Sequence, residues 1–404
     1  MKTEIFKTES ELNIAARLIE QGALVAVPTE TVYGLAGNGL DTAAVERIYE
    51  VKGRPSVKPL SLMIPGPEAM GQYCLSLPDS AKYLAEKFWP GPLTIVLRAS
   101  DNIPSIVLAG GDTVGLRCPR HPLTLRLLEL TGLPFAAPSA NRSGEESPKT
   151  AEQVEKYFDG KIEGIVDGGP CGLGLESTII DMSGNTYRIL RQGALPAADI
   201  KAALAERLKI IGITGGSGSG KTTALEVLES MGALILDCDS IYHQLLEKDK
   251  EMLSEIAESF PGTVCAGQLD RKALGAVVFN DEAALARLNG ITHRCVDREL
   301  GRRLEDFAME GGRLAAIDAI ELFAGNQARR CFKTVAVLAD PEIRTERIMK
   351  RDGISREYAR MRIQAQHPDA YFEKLCDHIL FNDADRDEFE EKCRILFKEI
   401  FSNE

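Results

Sequence analysis

Apolar and polar residues follow one another along this chain in a way that predicts alternating helices and strands. Residues 10–22 begin with a capping serine, carry apolar side chains at helical spacing and end on glycine, which indicates a helix. Residues 23–28 form a continuous apolar run that predicts a buried strand. Further runs of strand character occur at 175–181, 187–193, 210–214, 232–236, 315–320 and 334–339. The pattern predicts an α/β fold.

One apolar run, residues 210–214, ends in a glycine-rich loop. It leads into Gly215-Gly216-Ser217-Gly218-Ser219-Gly220-Lys221-Thr222-Thr223, and an apolar helical pattern follows directly. The spacing Gly-x4-Gly-Lys-Thr between a strand and a helix predicts a phosphate-binding P-loop, in which backbone N–H groups surround the phosphates. We therefore predict phosphate contacts from Gly215, Gly218, Ser219, Gly220, Lys221, Thr222 and Thr223. Lys221 would contact the outer phosphates, and Thr222 would ligate Mg²⁺.

The position of this loop divides the chain. P-loops commonly follow the first strand of their domain, yet about 210 residues precede this one. The length of 404 residues suits two domains, each of which can bury its own core. We predict a first domain at residues 1–196, a second at 209–404 and a short helical linker at 197–208.

Composition indicates the class of protein to which both domains belong and where the protein is located. The chain has 44% hydrophobic and 27% charged residues, and no apolar run approaches the ~20 residues needed to span a bilayer. The N-terminus passes into an amphipathic segment without a signal-peptide core. Nine cysteines without a Cys-x-x-Cys pair are expected to be reduced thiols rather than disulfides or zinc ligands. We expect a cytoplasmic protein without a membrane segment.

Net charge differs between the two halves. Residues 1–209 hold 22 Lys and Arg against 25 Asp and Glu, and the remainder holds 26 against 35, which gives net charges of −3 and −9. The excess negative charge argues against general nucleic-acid binding by the second half. The nearly neutral first half leaves contact with tRNA open without indicating it.

Polar loops of the first half carry candidate anion-binding groups. Lys52, Arg54 and Lys58 lie on a loop that two prolines stiffen, which favours a preorganised anion site over solvated cations. Ser139 and Asn141 lie in a turn after another apolar strand, where a hydroxyl and an amide suit ribose or phosphate. Polar turns of this kind are common, so the turn alone does not decide between a site and a plain loop.

Four segments of the first half occur in the order found in one enzyme family. They are Pro28-Thr29-Glu30-Thr31-Val32-Tyr33-Gly34-Leu35, Lys52-Gly53-Arg54-Pro55, Trp89-Pro90-Gly91-Pro92-Leu93-Thr94 and Pro138-Ser139-Ala140-Asn141. Through them, residues 5–195 resemble the YrdC-like threonylcarbamoyl-AMP synthases. The resemblance implies a twisted α/β sheet with a ligand-lined concave face. It also implies conversion of L-threonine, bicarbonate and ATP to threonylcarbamoyl-AMP and pyrophosphate, an intermediate that downstream tRNA threonylcarbamoyl transferase proteins would use.

The same resemblance implies which residues bind the substrates. ATP would contact Lys52, Arg54, Thr113, Ser139, Asn141, Ser147 and Arg191, and threonine would contact Thr29, Arg117 and Ser177. Attack of a carbamate oxygen on the α-phosphorus develops negative charge, which cations and Mg²⁺ can stabilise without a covalent nucleophile. Relatives of this fold also act on carbamoyl groups in hydrogenase maturation, which leaves a second activity open for this half.

The second half carries paired acids and paired arginines. Asp237 and Asp239 end an apolar strand, and residues two apart on a strand share a face. One carboxylate would accept the proton of an attacking hydroxyl and the other would assist Mg²⁺ through water; the alternative is a helix cap and a solvated acid. Arg347 and Arg351, four residues apart on a predicted helix, suit a lid that clamps phosphates on closure, the alternative being solvated or paired charges.

These features and others make residues 209–400 resemble the dephospho-CoA kinases. The shared motifs are Ile213-Thr214-Gly215-Gly216 with the P-loop, Asp237-Cys238-Asp239, Leu269-Asp270-Arg271, His293, Arg347 with Arg351, and Ile379-Leu380-Phe381-Asn382. The resemblance implies a parallel sheet with a helical acceptor region and a lid, and transfer of the ATP γ-phosphate to the 3′-hydroxyl of dephospho-CoA. Lys221, Asp239, Arg347 and Arg351 would be catalytic, Asn382 would contact adenine, and Asp237, Arg271 and His293 would bind the acceptor.

Two departures from the kinase pattern leave the acceptor site open. His243 stands where many members have arginine, and residues 320–324 read Ile-Glu-Leu-Phe-Ala in a region that is usually Pro-Leu-Leu-x-Glu. One alternative is therefore a kinase for another small metabolite. A second alternative is that the first half is a non-catalytic RNA-binding or regulatory module.

Overall fold

The computed structural model describes residues 2–265, 267–279, 281–325 and 327–402. It divides into two compact units, Met1–Glu206 with Met309–Gly311 and Arg207–Ala308 with Gly312–Glu404. A helix covers Ala197–Ala205, within the predicted linker. The domain boundaries at 196 and 209 remain predictions.

The first unit alternates short strands and helices, as its apolar pattern predicts. Its strands are β1 (Glu4–Phe6), β2 (Val25–Val27), β3 (Gly34–Asn38), β4 (Ser61–Met63), β5 (Leu93–Arg98), β6 (Thr113–Arg117), β7 (Phe135–Ala136), β8 (Gly164–Val166), β9 (Thr178–Asp181) and β10 (Arg188–Arg191). Its helices are α1 (Glu9–Glu20), α2 (Thr42–Lys52), α3 (Asp79–Phe88), α4 (Pro122–Thr131), α5 (Ala151–Phe158) and α6 (Ala197–Ala205), with a 3₁₀ turn at Pro67–Gln72.

The strands of the first unit form one mixed sheet. Their order among the described residues is β1-β8-β2-β3-β7-β4-β6-β5-β9-β10. Buried side chains from α1, α4 and the sheet, among them Leu12, Ile19, Leu127 and Phe135, pack into one core cluster. The neighbouring strands β4, β6, β5 and β9 bring distant segments of the sequence to one wall of a cavity.

The second unit begins with the strand that precedes the P-loop. Its strands are β11 (Lys209–Thr214), β12 (Leu234–Asp237), β13 (Val264–Cys265), β14 (Gln268–Leu269), β15 (Leu314–Asp318), β16 (Lys333–Leu338) and β17 (His378–Phe381). Its helices are α7 (Lys221–Ser230), α8 (Cys238–Lys248), α9 (Lys250–Ser259), α10 (Arg271–Val278), α11 (Glu282–Met309), α12 (Pro341–Asp352), α13 (Arg356–Gln364), α14 (Asp369–Leu375) and α15 (Arg386–Ser402), with a 3₁₀ turn at Gln327–Arg330.

The main sheet of the second unit is parallel throughout the described residues. Its order is β12-β15-β11-β16-β17, so that β11 occupies the centre. Helices cover both faces of such sheets, which explains why residues 210–214 are all buried. Helices α8 to α11 form a second core around Leu246, Met252, Ile256 and Leu288. The predicted α/β class, with a parallel sheet and a helical region in the second half, is confirmed.

Within the described ranges, no helix combines the length and the apolar character needed to cross a bilayer.

Candidate functional sites

The P-loop connects β11 to α7 through a tight turn. Gly215 and Gly220 have φ values of 131° and 103°, a region that favours glycine because a side chain would be strained there. A Cβ atom at Gly220 would also collide with Nδ2 of Asn382. Helix α7 starts immediately after Gly220, so the unpaired N–H groups of its first turn adjoin the loop, as phosphate binding requires.

Lys221 turns back onto its own loop. Its Nζ donates a hydrogen bond to the Gly215 carbonyl oxygen at 2.9 Å. Burial lowers the pKa of Lys221, and the nearby carboxylates of Asp318 and Asp239 oppose that shift. The amine is thus held beside the loop by an uncharged acceptor.

Residues far along the sequence support the P-loop. Asn382, at the end of β17, is buried and donates from Nδ2 to the Ser219 carbonyl oxygen at 2.8 Å. Arg347 on α12 donates to the carbonyl oxygen of Asn382 at 3.1 Å and to that of Gly218 at 3.4 Å. The predicted adenine contact of Asn382 therefore remains a prediction, since its amide here braces the loop.

The other predicted lid residue, Arg351, pairs with its neighbour on the same helix. Nε of Arg351 donates to Oδ1 of its neighbour Asp352 at 2.7 Å, and more than half of the Arg351 side chain is exposed. Its predicted role in clamping phosphate would require Arg351 to leave Asp352.

Arg344 and Gln366 also contact the loop, and sequence reasoning missed both. Nε of Arg344, which is 3% exposed, donates to the Ser217 carbonyl oxygen at 3.0 Å. The Ser217 N–H donates to Oε1 of Gln366 at 2.9 Å, and Nε2 of Gln366 donates to the Ser217 hydroxyl at 2.8 Å. Arg344 lies one helical turn before Arg347, a spacing that could have indicated it.

The two acids after β12 have separate roles. The prediction that Asp237 and Asp239 share a strand face is wrong, because β12 ends at Asp237 and α8 begins at Cys238. The Asp237 carboxylate accepts hydrogen bonds from the N–H groups of Asp239 and Ser240 at 2.9 and 3.2 Å, as an N-cap does. This leaves Asp239 exposed in the first turn of the helix, with its carboxylate available to a substrate. The predicted acceptor contact of Asp237 is untested.

Asp318, at the end of β15, is a site residue that the sequence interpretation recorded only as an acidic strand end. Its Oδ1 is buried and has no hydrogen-bond partner, and burial raises the pKa of its carboxyl to about 6. The charges of Lys221, Asp237 and Asp239 all act on it. A buried, unpaired carboxylate at the end of the strand beside a P-loop is a candidate for Mg²⁺ and phosphate chemistry.

The oxygens near the P-loop fit a magnesium ion that a nucleotide brings with it. The Thr222 hydroxyl lies on the exposed first turn of α7, and the Asp318 carboxylate has a free oxygen. In the described part of the chain, no group of three His, Cys, Asp or Glu side chains could hold a metal ion. Mg²⁺ is usually held by one or two protein oxygens together with substrate phosphates and water, so this sparse set is sufficient.

A cavity of about 370 Å³ adjoins Asp239, and His293 and Tyr242 also line it. A neighbouring cavity of about 210 Å³ shares Tyr242 and contains Arg271 and His243. The structure thus brings His293 to the same cavity as Asp239 and places Arg271 in the next one. Apolar side chains line much of both cavities, from α11 in the first and mainly from α8 and α10 in the second, which suits an acceptor with an apolar arm.

The first unit has its own cavity, of about 180 Å³, beside the sheet. Five of the residues predicted to bind ATP or threonine line it: Arg54, Arg117, Ser139, Ser177 and Arg191. Side chains from β4, β5 and β9 complete the wall. The structure therefore assembles the predicted site from segments that are far apart in sequence.

Lys52 lies behind this cavity, where it is 3% exposed. Its Nζ donates to the carbonyl oxygens of Ser139 and Asn141. Burial, with a smaller contribution from the charge of Arg54, lowers the pKa of Lys52 to about 7. Asn141 is fixed in turn, because its Nδ2 donates to the Glu145 carbonyl oxygen at 2.7 Å.

Arg117, predicted to hold threonine, is part of a buried ion pair. Its Nη2 lies 2.7 Å from Oε1 of Glu30, and the two side chains are only 8% and 11% exposed. The same nitrogen donates to the Thr31 hydroxyl at 2.9 Å. Glu30 and Thr31 were in the recognised motif without an assigned role, and both orient the guanidinium.

Arg191 and Ser177 lie together at the other end of the cavity wall. Arg191 donates from Nη2 to the Ser177 carbonyl oxygen at 2.9 Å, and its Nη1 pairs with Glu176. The Ser147 hydroxyl donates to Oε1 of Glu176 at 3.0 Å. Glu176, for which the sequence predicted no role, therefore contacts two of the residues that are predicted to bind ATP.

Besides Lys52, Asn141 and Ser147, two further predicted residues, Thr113 and Thr29, do not line the cavity. Thr113 begins β6 and Arg117 ends it, so the two are about 13 Å apart. Thr29 is 1% exposed, and its hydroxyl donates to the Val32 carbonyl oxygen at 2.6 Å while lying 2.8 Å from the Thr31 hydroxyl. Thr29 shapes the turn that presents Thr31, and a direct contact from either predicted residue is not supported by this geometry.

Family models match both halves of the chain. The Sua5-yciO-yrdC model, described as telomere recombination, matches residues 17–193, and the dephospho-CoA kinase model matches residues 209–388. Over 194 residues the chain is 34% identical to the dephospho-CoA kinase of Corynebacterium glutamicum, covering 48% of this chain and 97% of that protein.

Relatives of the first half are named threonylcarbamoyl-AMP synthases. The chain is 48% identical over 198 residues to the threonylcarbamoyl-AMP synthase of Pyrococcus abyssi, covering 49% of this chain and 58% of that protein. It is 35% identical over 185 residues to a protein of Methanocaldococcus jannaschii that provisionally has the same name, covering 46% of this chain and 86% of the relative. The chain belongs to both families. The resemblances drawn from the motifs are thus confirmed.

The match to the synthase relatives is partial. The chain spans 58%, 58% and 54% of three of them, from Pyrococcus abyssi, Bacillus subtilis and Schizosaccharomyces pombe. The synthase unit and the kinase unit each have a cavity that is lined by residues predicted from the motifs of their family. The activity of the whole chain is a proposal.

Proposed function

We propose that the chain is a bifunctional enzyme with two independent reactions. The synthase unit converts L-threonine, bicarbonate and ATP to threonylcarbamoyl-AMP and pyrophosphate. The kinase unit transfers the γ-phosphate of ATP to the 3′-hydroxyl of dephospho-CoA. The observation that carries this proposal is that each unit has a cavity lined by residues that its family motifs predict: Arg54, Arg117, Ser139, Ser177 and Arg191 in the first unit, and Asp239 and His293 in the second.

In the kinase unit, the P-loop N–H groups and Lys221 bind the outer phosphates of ATP. Mg²⁺, when bound with the nucleotide at Thr222, neutralises developing phosphate charge. The exposed Asp239 lies on the cavity wall, where it accepts the proton of the acceptor hydroxyl or orients that hydroxyl. His293 and Arg271 bind the rest of the acceptor.

In the synthase unit, the carbamate formed from threonine attacks the α-phosphorus of ATP, and pyrophosphate leaves. Arg54 and Arg191, with Lys52 behind them, stabilise the negative charge on the phosphate groups. Arg117, whose guanidinium is oriented by its ion pair with Glu30, holds the threonine carboxylate beside Ser177. No covalent intermediate with the protein is needed, because positioning and charge lower the barrier.

The product of the synthase unit would pass to tRNA threonylcarbamoyl transferase proteins, and a cytoplasmic location belongs to the same proposal. Mass spectrometry of the products formed from ATP, Mg²⁺, threonine, bicarbonate and dephospho-CoA tests both reactions at once. Threonylcarbamoyl-AMP and CoA are the expected products. Binding of tRNA without threonine-dependent release of pyrophosphate would instead support a non-catalytic first half. Phosphorylation of adenosine or uridine in preference to dephospho-CoA would support a different kinase.

The role of Asp239 has a direct test. Asp239→Asn should lower the kinase kcat by ~10²-fold or more, because an amide cannot accept the proton. ATP binding, measured by titration calorimetry, should stay within a few fold. Nearly normal turnover would show that Asp239 only shapes the first turn of α8.

A further inference from the structure

The three cations predicted to bind ATP are held by backbone oxygens. Nε of Arg191 donates to the Ser177 carbonyl oxygen at 3.1 Å, and Nη2 of Arg54 donates to that of Pro59 at 3.0 Å. Lys52 is bound by two further carbonyl groups. Each cation thus keeps its position through uncharged acceptors and needs no carboxylate to place it.

A carboxylate is nevertheless present in the cavity wall. Among the described residues that line the cavity, Glu176 is the one that carries negative charge. It pairs with Nη1 of Arg191 and accepts a hydrogen bond from the Ser147 hydroxyl at 3.0 Å. Its negative charge also acts on Lys52 and Arg54. Both direct partners of Glu176 are residues predicted to bind ATP.

We propose that Glu176 is a displaceable counter-ion that occupies Arg191 and Ser147 until the phosphates of ATP replace it. This inference rests on the proposed synthase function and adds a determinant of nucleotide affinity to it. A carboxylate beside a polyanion is repelled, so ATP binds only as Glu176 turns away from Arg191. Its return after the reaction competes with pyrophosphate and assists product release.

A second ion pair in the same unit is more deeply buried than the pair of Glu176 and Arg191. Glu30 and Arg117 are 11% and 8% exposed, and Glu30 also accepts the Arg120 N–H at 2.8 Å. The side chains of Glu176 and Arg191 are 36% and 40% exposed. Glu176 can therefore move into solvent without leaving a buried charge unpaired, whereas Glu30 cannot.

The test compares ATP affinities in the full chain. Lys221→Ala is present in every protein, so that the kinase site contributes equally to each titration. Glu176→Gln and Glu176→Ala should each bind ATP about three- to tenfold more tightly by calorimetry, the scale of one half-exposed charge contact. The KM for ATP in threonine-dependent pyrophosphate release should fall by a similar factor, with kcat unchanged or lower.

Two controls separate competition from damage. Glu176→Asp keeps the charge and should stay closer to the parent affinity than Glu176→Gln does. Glu163→Gln removes a carboxylate from its partner Arg47, elsewhere in the unit, and should leave ATP affinity unchanged. Because structural damage weakens binding, the predicted gain in affinity has the opposite sign to a merely structural effect.

Unchanged or weaker ATP binding in folded Glu176→Gln and Glu176→Ala would overturn the proposal. Loss of folding in both, seen by circular dichroism, would also overturn it, because the carboxylate would then be structural. If the parent chain released no pyrophosphate with threonine, the proposed synthase function would fail instead. The binding titration would still decide the role of Glu176 as a competitor of ATP.

Discussion

The two proposed nucleotide sites are built in opposite ways. In the kinase unit, nine consecutive residues form the phosphate-binding loop, and most of the predicted contacts are backbone N–H groups. In the synthase unit, the groups proposed to bind phosphate are side chains from three separate segments, at 52–54, 139–147 and 191. A local loop carries its geometry in its own glycines, whereas a dispersed site depends on the register of the whole sheet.

The lysines of the two sites also differ in their surroundings. Lys221 lies near two carboxylates, Asp318 and Asp239, which favour its charged form. Lys52 contacts carbonyl oxygens, and the cation Arg54 acts on it more strongly than the carboxylate of Glu176 does. In the kinase unit, the nearby carboxylates favour the protonated form of Lys221 even without a ligand. In the synthase unit, the protonated form of Lys52 would be favoured mainly by the phosphates of bound ATP.

The largest expected effect tests whether the two sites are independent. Lys221→Ala should lower kinase turnover by at least ~10³-fold, because the cation acts on charge that develops in the transition state. Threonine-dependent pyrophosphate release should change by less than about twofold. Loss of both activities would show that the sites are coupled.

The reciprocal change tests the dispersed site. Lys52→Ala should lower threonine-dependent pyrophosphate release by ~10²-fold or more, since it removes a buried cation that is held beside Ser139 and Asn141. CoA formation, measured in the same reaction mixture, should be retained. Circular dichroism should match the parent protein. Persistent synthase activity would mean that the assigned ATP site is wrong.

Asp318→Asn should separate stability from activity in the kinase unit. The folded-state pKa of about 6 lies above the ordinary value of 3.8, so its stabilising contribution is present at low pH and is lost as the pH rises through 6. Removing this charge should raise the free energy of unfolding at pH 7.5 by about 2 kcal/mol while kinase kcat falls about tenfold or more.

A matched variant tests the stability effect. Asp297 is a partly exposed acid that pairs with Arg330, so Asp297→Asn should not stabilise the protein. Urea unfolding without Mg²⁺ measures both variants. A destabilised Asp318→Asn protein would contradict the interpretation of Asp318 as a buried, unpaired charge.

The smallest expected effect is on pH dependence. The pKa of Lys52 lies near 7 and below its ordinary 10.5, so the unfolded chain binds the proton more tightly and this contribution to stability rises with pH between those values. ATP reverses the preference, because phosphates favour the charged amine. The synthase KM for ATP should therefore rise several fold from pH 7 to pH 8.5, about the effect of one contact of ~1 kcal/mol. Lys52→Met should show a flatter profile, and an equally steep one would assign the effect to another group.

The sequence predicted the features that depend on neighbouring residues and missed features that depend on contacts formed only in the fold. The P-loop, its helix and the α/β class were predicted because glycine spacing and apolar runs are local signals. Glu176 and Glu30 received no role because each acts through an arginine far away in sequence. Asp239 was predicted to lie on the strand but is in the first turn of α8, because β12 ends at Asp237, which caps that helix. Thr113 matched a motif position, but it lies four residues from Arg117 along β6, so its contact with ATP stays a prediction.

The hydrogen bond between Asn382 and Ser219 has a consequence for synthesis on the ribosome. The two residues are 163 positions apart, so the phosphate-binding loop emerges long before the amide that supports it. At translation rates of about 5 to 20 residues per second, this delay is roughly 8 to 30 s. A nascent or truncated chain that ends before β17 would contain the whole P-loop motif without the amide that braces it.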